Sequence, residues 1–221
     1  MNMKKAYLFD MDGVLVDNCS YHVRAWLELA RRTGGHLTEK QVVDWMGAPG
    51  RDYIVRMFDE PLSAARIEAL LTEKEALYRE IYRPHLTARE GLVDFLKAAR
   101  AAGRVCAVVT GGTMDNVDFV LDGLAIRDFF SVIVDSTQYA HGKPAPDGYL
   151  RAAERLGVAA SACTVFEDAL NGIAAAQAAG MEVVALVGTN PRDVLAAAHP
   201  TRVVDSFRDL LSADSKTGMR N

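Results

Sequence analysis

Short runs of apolar residues recur along the chain, and most of them are continuously apolar instead of alternating with polar positions. Such runs are typical of strands that are buried on both faces of a parallel sheet. The runs are AYLF (6–9), VCAVV (105–109), SVIVD (131–135), CTVFE (163–167), VVALV (183–187) and RVVD (202–205). The pattern therefore predicts the strands of a parallel sheet.

From residue 91 onward, the segments that precede or separate the later runs carry apolar residues at helical spacing. Several of the segments end in glycine, a residue that commonly terminates helices. They are GLVDFLKAARAAG (91–103), DNVDFVLDGL (115–124), PDGYLRAAERLG (146–157) and NGIAAAQAAG (171–180). Strands that alternate with helices of this length predict a doubly wound, Rossmann-like α/β fold.

The stretch between residues 19 and 88 departs from this alternation, because it contains helical patterns and no convincing strand. The patterns are YHVRAWLELARRTG (21–34), EKQVVDWMG (39–47), RDYIVRMF (51–58) and SAARIEALLTEKEALYREIY (63–82). We therefore predict an α/β core domain formed by 1–18 and 89–221, with an α-helical domain, 19–88, inserted after the first strand. The polar tail, 212–221, is predicted to fray.

The composition is that of a soluble globular protein: of 221 residues, 50% are hydrophobic and 24% charged. A formal net charge of −4 argues against sequence-independent binding of nucleic acid, which depends on many Lys and Arg residues. No apolar run approaches the roughly 20 residues of a membrane span, and charge returns at Asp10, too early for a signal-peptide core. We expect a cytoplasmic monomer whose partner is a small molecule.

Acidic residues stand at the ends of two predicted strands, where doubly wound sheets bind their ligands. Asp10 and Asp12 follow the first strand, and Glu167 and Asp168 end the fourth. Carboxylates gathered at one edge repel one another unless a cation lies among them, and hard oxygen ligands with room for water suit Mg²⁺. The sequence therefore predicts a Mg²⁺ site formed by Asp10, Asp12, Glu167 and Asp168.

Two further strand ends carry groups that bind anions. Thr110, Gly111 and Gly112 follow the second strand and precede a helix, so a hydroxyl and flexible backbone amides are available to hold phosphate. Lys143, in HGKPAPD (141–147), follows the third strand and can screen a carboxylate nucleophile from an anionic substrate. Together with the acids, these groups predict phosphoryl transfer, in which a carboxylate can form an aspartyl-phosphate.

In this order and at this spacing, the motifs resemble the four signatures of the haloacid dehalogenase (HAD) superfamily of phosphatases and phosphomutases. The matching stretches are FDMDGVLVDN (9–18), Thr110, GKPAPD (142–147) and FEDALNGIAAAQAAGM (166–181). The resemblance implies that Asp10 is the nucleophile and a Mg²⁺ ligand. It also implies that Asp12 is the general acid/base with its backbone carbonyl on the metal, and that Asp168 is the main acidic ligand with Glu167 assisting. Dehalogenase members lack the second aspartate, so Asp12 favours cleavage of phosphate esters, which requires a proton donor.

The helical insertion resembles the cap of the β-phosphoglucomutase-like branch of this superfamily, which closes over the site and expels water. YHVRAW (21–26) is similar to that branch's YHxRAW stretch, which implies that His22 positions or deprotonates a sugar hydroxyl. Arg51, in MGAPGRD (46–52), falls near the arginine that binds a distal phosphate, and Lys74 near a cap lysine. A purely structural histidine is the alternative for His22.

The chain also departs from the mutase pattern. Asn18 stands where the mutase has threonine, the loop before Arg51 is one residue longer, and two glycines follow Thr110 where serine or alanine is usual. We therefore predict a Mg²⁺-dependent phosphatase of small phosphorylated metabolites, sugar phosphates above all. The alternative is a phosphomutase that interconverts β-glucose 1-phosphate and glucose 6-phosphate.

A third hypothesis is a phosphate-binding signalling domain of receiver type, or a non-catalytic relative. Receiver domains lack a long helical insertion after their first strand, and their phosphorylated aspartate lies on the third strand. Here the candidate nucleophile, Asp10, follows the first strand, and each catalytic position is filled. Both features disfavour this hypothesis.

Overall fold

The structure is a computed structural model that describes residues 5–211, so the tail at 212–221 lies outside the described residues. Two compact units are present. One comprises the described residues within 1–17 and 87–221, and the other comprises 18–86. The sequence placed these divisions after 18 and 88, and the structure has them after 17 and 86.

The first unit is built on a parallel β-sheet. Its strands are β1 (Ala6–Phe9), β2 (Val105–Val109), β3 (Phe130–Val134), β4 (Cys163–Glu167), β5 (Glu182–Leu186) and β6 (Arg202–Val204). They pair in the order β3-β2-β1-β4-β5-β6, and every pairing is parallel. The predicted strands and the doubly wound α/β class are confirmed, with strand ends within one residue of the prediction.

Helices connect the strands of the first unit and make up the second. In chain order they are α1 (Cys19–Thr33), α2 (Glu39–Asp44), α3 (Gly50–Met57), α4 (Ala64–Tyr82), α5 (Leu92–Ala101), α6 (Met114–Gly123), α7 (Asp147–Leu156), α8 (Leu170–Ala178) and α9 (Arg192–Ala197). Single 3₁₀ turns lie at Arg83–His85, Arg127–Phe129 and Ala160–Ala162. The sequence pattern missed α9, because RDVLAA is too short to establish a helical period.

The central strand β1 is buried on both faces, which explains its continuously apolar sequence. Ala6 and Leu8 are fully buried in an aliphatic cluster on one face of the sheet. On the other face, Phe9 stacks on Phe166 of β4 with ring centroids 4.6 Å apart, within a larger aromatic group. That group also includes Tyr7, Phe95, Phe130 and Phe207. Because β1 pairs with β2 on one side and with β4 on the other, its end lies at the middle of the sheet's carboxyl edge.

The second unit, residues 18–86, is described throughout and contains helices without a strand. Its helix ends follow local sequence signals. Gly34 adopts a left-handed conformation and ends α1, while the side chains of Thr38 and Gln41 form a capping box at the start of α2. Within the described residues of the whole chain, no helix has both the length and the apolar character that a membrane crossing requires.

Candidate active site

Three acidic side chains converge at the ends of β1 and β4. The amide of Asp10 donates to the carbonyl of Phe166 (3.0 Å), which extends the pairing of the two strands by one residue. Asp10, Glu167 and Asp168 are all buried, and each offers a carboxylate oxygen within 4.8 Å of those of the other two. The structure thus brings together three of the four acids that the sequence assigned to a metal site.

Lys143 bridges two of these acids. Its Nζ lies 2.5 Å from Oδ1 of Asp10 and 2.6 Å from Oε1 of Glu167. The hydroxyl of Tyr149, on α7, also donates to Oε1 of Glu167 (2.7 Å). The other oxygen of Glu167 accepts from the amides of Asp168 (3.0 Å) and Ala169 (3.2 Å). Glu167 therefore accepts four hydrogen bonds, which matches the capacity of a carboxylate and makes it an anchor for Lys143.

Glycine is required at two positions beside the acids. Gly13 has a φ of +82°, and a Cβ built on it would lie 2.0 Å from Oδ2 of Asp168. A Cβ on Gly172, in α8, would lie 1.8 Å from Oε1 of Glu167. Any larger residue at either position would displace a carboxylate of the cluster, so both glycines are part of the site.

The single ammonium group does not balance the acids around it. Burial raises the pKa of Asp10 well above its ordinary value, and Glu167 and Asp168 raise it further, while Lys143 opposes the shift. Burial, followed by the charge of Glu167, raises the pKa of Asp168 to about 7. Burial lowers the pKa of Lys143, but Asp10 and Glu167 more than reverse this and hold it well above its usual range. The site thus has excess negative charge, which a divalent cation would neutralise.

In the absence of a metal, we expect the free energy of unfolding to decrease as pH rises from about 4, where an unfolded aspartate titrates, to about 7. Over this interval the folded state retains protons on Asp168 and Asp10 that the unfolded chain has released, so raising the pH favours unfolding. Mg²⁺ would bind the deprotonated carboxylates, so it should raise the melting temperature more at pH 8 than at pH 5.

The measurement is thermal unfolding at both pH values, with Mg²⁺ and with EDTA, for the wild type and Asp168→Asn. Because the variant lacks one titrating carboxyl, its stability should depend less on pH over this interval. Identical pH dependence in the two proteins would contradict the assignment of the shift to Asp168.

The residues predicted to hold phosphate lie at the end of β2, beside the acids. Thr110 is buried, and its Oγ1 accepts from the amide of Gly112 (2.9 Å), which leaves its hydroxyl hydrogen to be donated. Gly111 and Gly112 lie between Thr110 and the start of α6. A Cβ on Gly112 would lie 3.8 Å from Oδ2 of Asp12. The hydroxyl, the amides and Asp12 therefore share the same edge of the sheet as the acidic cluster.

The second unit gathers its own polar side chains between α1 and α4. Nζ of Lys74 lies 2.8 Å from Nδ1 of His22 and 2.8 Å from Oε1 of Glu75, and Lys74 is only 4% exposed. The ring of His22 stacks on that of Tyr78 with centroids 3.8 Å apart. Asn18 is fully buried and lies within hydrogen-bond distance of the Tyr78 hydroxyl (2.6 Å) and of Nε2 of His22 (3.4 Å). His22 and Lys74, 52 residues apart in sequence, are thus direct neighbours.

Nζ of Lys74, as an ammonium group, can only donate, so Nδ1 of His22 accepts from it. Nδ2 of Asn18 donates to the hydroxyl of Tyr78 and lies 3.4 Å from Nε2 of His22. Asn18, His22 and Lys74 therefore form one polar network with Tyr78.

Arg51 is not part of this network. It lies in the first turn of α3, its side chain is 53% exposed, and the carboxylate of Glu68 is 3.7 Å from its Nη1. Within the helical unit, the structure therefore brings together two of the three predicted substrate-binding residues and places the third apart from them.

Sequence reasoning missed Tyr78 and Tyr149, which both contact predicted site residues. Tyr78 lies four residues after Lys74, and this helical spacing was a signal that both side chains share one face. Tyr149, whose ring centroid is 5.2 Å from Nζ of Lys143, occupies an apolar position of a helical pattern. No sequence signal distinguished it from an ordinary core tyrosine.

Three buried carboxylates, a bridging lysine and a hydroxyl–amide loop, all at the carboxyl edge of a doubly wound sheet, define a site suited to phosphoryl transfer. The sequence of this chain matches the family model of the haloacid dehalogenase-like hydrolases over residues 4–180. The chain belongs to this family.

Relatives and solved structures agree with the family match. The chain is 35% identical to a β-phosphoglucomutase of Mycobacterium bovis, in an alignment that covers 84% of this chain and 81% of the relative. It is 33% identical to the fructose-1-phosphate phosphatase YqaB of Escherichia coli over 177 residues, 80% of this chain and 93% of the relative. The crystal structure of CbbY from Rhodobacter sphaeroides, in complex with xylulose-(1,5)-bisphosphate, has a TM-score of 0.82 at 26% identity, with 93% and 95% of the two chains covered. The predicted superfamily and the predicted enzyme class, phosphoryl transfer, are confirmed.

Proposed function

We propose that this protein is a Mg²⁺-dependent phosphatase that hydrolyses small phosphomonoesters, sugar phosphates in particular, through an aspartyl-phosphate on Asp10. The observation that carries the proposal is the position of Lys143, whose ammonium group contacts both Asp10 and Glu167 inside a buried acidic cluster. A carboxylate held in this way, at the middle of the sheet edge, is a suitable nucleophile toward an anionic ester.

The donor set fits Mg²⁺, because it consists of hard carboxylate oxygens that are buried and close together. Asp10 and Asp168 would supply the carboxylate ligands, and the backbone carbonyl of Asp12 would complete the protein's share. Glu167 would assist by holding Lys143 beside Asp10. When bound, Mg²⁺ would neutralise charge on the phosphoryl group and orient it.

The proposed reaction has two steps, formation and hydrolysis of the aspartyl-phosphate, in which Asp10 and Asp12 have different roles. An oxygen of Asp10 attacks phosphorus, the bond to the ester oxygen breaks, and Asp12 donates a proton to the departing alcohol. Asp12 then accepts a proton from a water molecule, whose oxygen attacks phosphorus and releases inorganic phosphate from Asp10. Thr110, Gly111 and Gly112 hold the phosphoryl oxygens during both steps, and Lys143 limits the rotation of the Asp10 carboxylate.

The names of the relatives support a sugar phosphate as the substrate, since one is a fructose-1-phosphate phosphatase and another a β-phosphoglucomutase. In this proposal the helical unit acts as a cap that selects the substrate, and the enzyme is a cytoplasmic monomer. The network of Asn18, His22 and Lys74 gives that unit fixed polar groups that could recognise hydroxyl or phosphate groups.

A phosphomutase is the second candidate, and the contact between His22 and Lys74 favours it. They are two of the three residues for which the resemblance to the mutase branch implied a role in substrate binding, and they are hydrogen-bonded. Against it, Nδ1 of His22 is engaged by Lys74 and is not available to accept a proton from a substrate. Removal of a proton from a sugar hydroxyl would then fall to Asp12.

One assay with two readouts tests both functions. A panel of phosphomonoesters with Mg²⁺ is followed for inorganic phosphate, while β-glucose 1-phosphate with a trace of the 1,6-bisphosphate is followed for glucose 6-phosphate. We expect phosphate release that stops on chelation. Isomer formation without net phosphate would instead establish the mutase, and activity that survives chelation would remove Mg²⁺ from the proposal.

A further inference from the structure

The loop after β5 holds Asp168 at two separate atoms. The hydroxyl of Thr189 donates to Oδ2 of the Asp168 side chain. Nδ2 of the neighbouring Asn190 donates to the backbone carbonyl of Asp168 (3.0 Å). Neither residue belongs to the motifs that identified the site, and both lie beyond residues 4–180 matched by the family model.

The sheet and one arginine fix the position of this loop. β5 pairs in parallel with β4, with Ala185 opposite Glu167, so the loop emerges beside Asp168. The amide of Val187 donates to the carbonyl of Val204 on β6 (2.9 Å). The side chain of Arg89 is 10% exposed, and its Nη2 donates to the carbonyl of Val187 (2.5 Å). Thr189 therefore follows a segment that hydrogen bonds hold in place on both sides of Val187.

The backbone at Gly13 also restricts the position of Oδ2 of Asp168. A Cβ on Gly13 would lie 2.0 Å from this oxygen and 3.0 Å from Oγ1 of Thr189. The backbone after β1 and the Thr189 hydroxyl thus enclose the same carboxylate oxygen. Rotation of the Asp168 carboxylate is therefore restricted.

We propose that Thr189 is a positioning residue for Mg²⁺ binding, which holds the Asp168 carboxylate in the orientation that a metal ion requires. This inference rests on the proposed metal site and adds the loop after β5 to it. Hydrogen-bonding partners of metal ligands typically affect metal affinity ten- to a hundredfold, because they reduce the cost of ordering the ligand. Asn190 supports the same function by holding the backbone of Asp168.

The test is a titration with Mn²⁺ alone, in which the electron paramagnetic resonance signal of free Mn²⁺ reports binding without any turnover. Thr189→Val removes the hydroxyl and keeps the branched shape, and we expect it to weaken Mn²⁺ binding roughly ten- to a hundredfold. Thr189→Ser keeps a hydroxyl and should restore most of the affinity. In assays, the Mg²⁺ concentration for half-maximal activity should rise in Thr189→Val while kcat at saturating Mg²⁺ changes far less.

Thr164→Val is the matched control, because Oγ1 of Thr164 donates to a carboxylate oxygen of Glu182 (3.1 Å) at the opposite end of β4. This variant should bind Mn²⁺ like the wild type. If Thr189→Val does not fold, Thr189→Ala replaces it with the same expectation. Unchanged Mn²⁺ affinity in a folded Thr189 variant would overturn the inference, whereas a wild type that binds no Mn²⁺ would overturn the proposed metal site and this inference with it.

Discussion

Replacing Asp10 with asparagine is expected to reduce phosphate release by at least about a thousandfold, because the amide cannot act as the nucleophile. The substitution preserves size and leaves an oxygen that can accept from Lys143, whose second contact, to Glu167, is untouched. The measurement is phosphate release under single-turnover and steady-state conditions with the best substrate of the panel.

The stability of the same variant separates a catalytic role from a structural one. Burial and the charges of Glu167 and Asp168 raise the pKa of Asp10, so a neutral residue at this position relieves repulsion in the metal-free protein. We therefore expect the melting temperature of Asp10→Asn in EDTA to equal or exceed that of the wild type. Lost activity together with a lowered melting temperature would point to a structural role, and retained activity would exclude Asp10 as the nucleophile.

Lys143→Met is expected to lower both activity and stability. The side chain of Lys143 is 16% exposed and contacts two buried carboxylates, so its removal leaves both without their shared cation. Breaking a buried ion pair from one side typically costs about 3–5 kcal/mol in the free energy of unfolding. Loss of a cation that stabilises developing charge lowers kcat by about a hundred- to a thousandfold.

The matched control for this variant is Lys97→Met. Lys97 forms an exposed ion pair with Asp94 (3.6 Å, side chain 65% exposed), and such pairs contribute about 0–1 kcal/mol. Chemical denaturation of both variants in EDTA gives the two free energies. The deficit of Lys143→Met should shrink at low pH, where the carboxylates are protonated. Equal losses in the free energy of unfolding for the two substitutions would contradict a stabilising role of Lys143 in the acidic cluster.

The strands of the sheet in the first unit could be predicted from the sequence alone. Strands buried on both faces are mostly apolar, so β1 and β2 are apparent as continuous apolar runs without knowledge of their neighbours. The helix α9 was missed, because six residues do not establish a period. Asp10 and Asp168 could be placed at one edge because the carboxyl ends of parallel strands coincide.

What the sequence alone determined about this protein is its family, its α/β fold and the set of acids and the lysine at the strand ends, since these depend on short local patterns. The tertiary structure decided how those groups are held. Tyr149 binds Glu167, Thr189 binds Asp168, and Lys74 binds His22, each across 18 to 52 residues. Such contacts are set by strand register and helix packing, and threonine or tyrosine carries no local pattern that distinguishes a partner of the site from an ordinary core or loop residue.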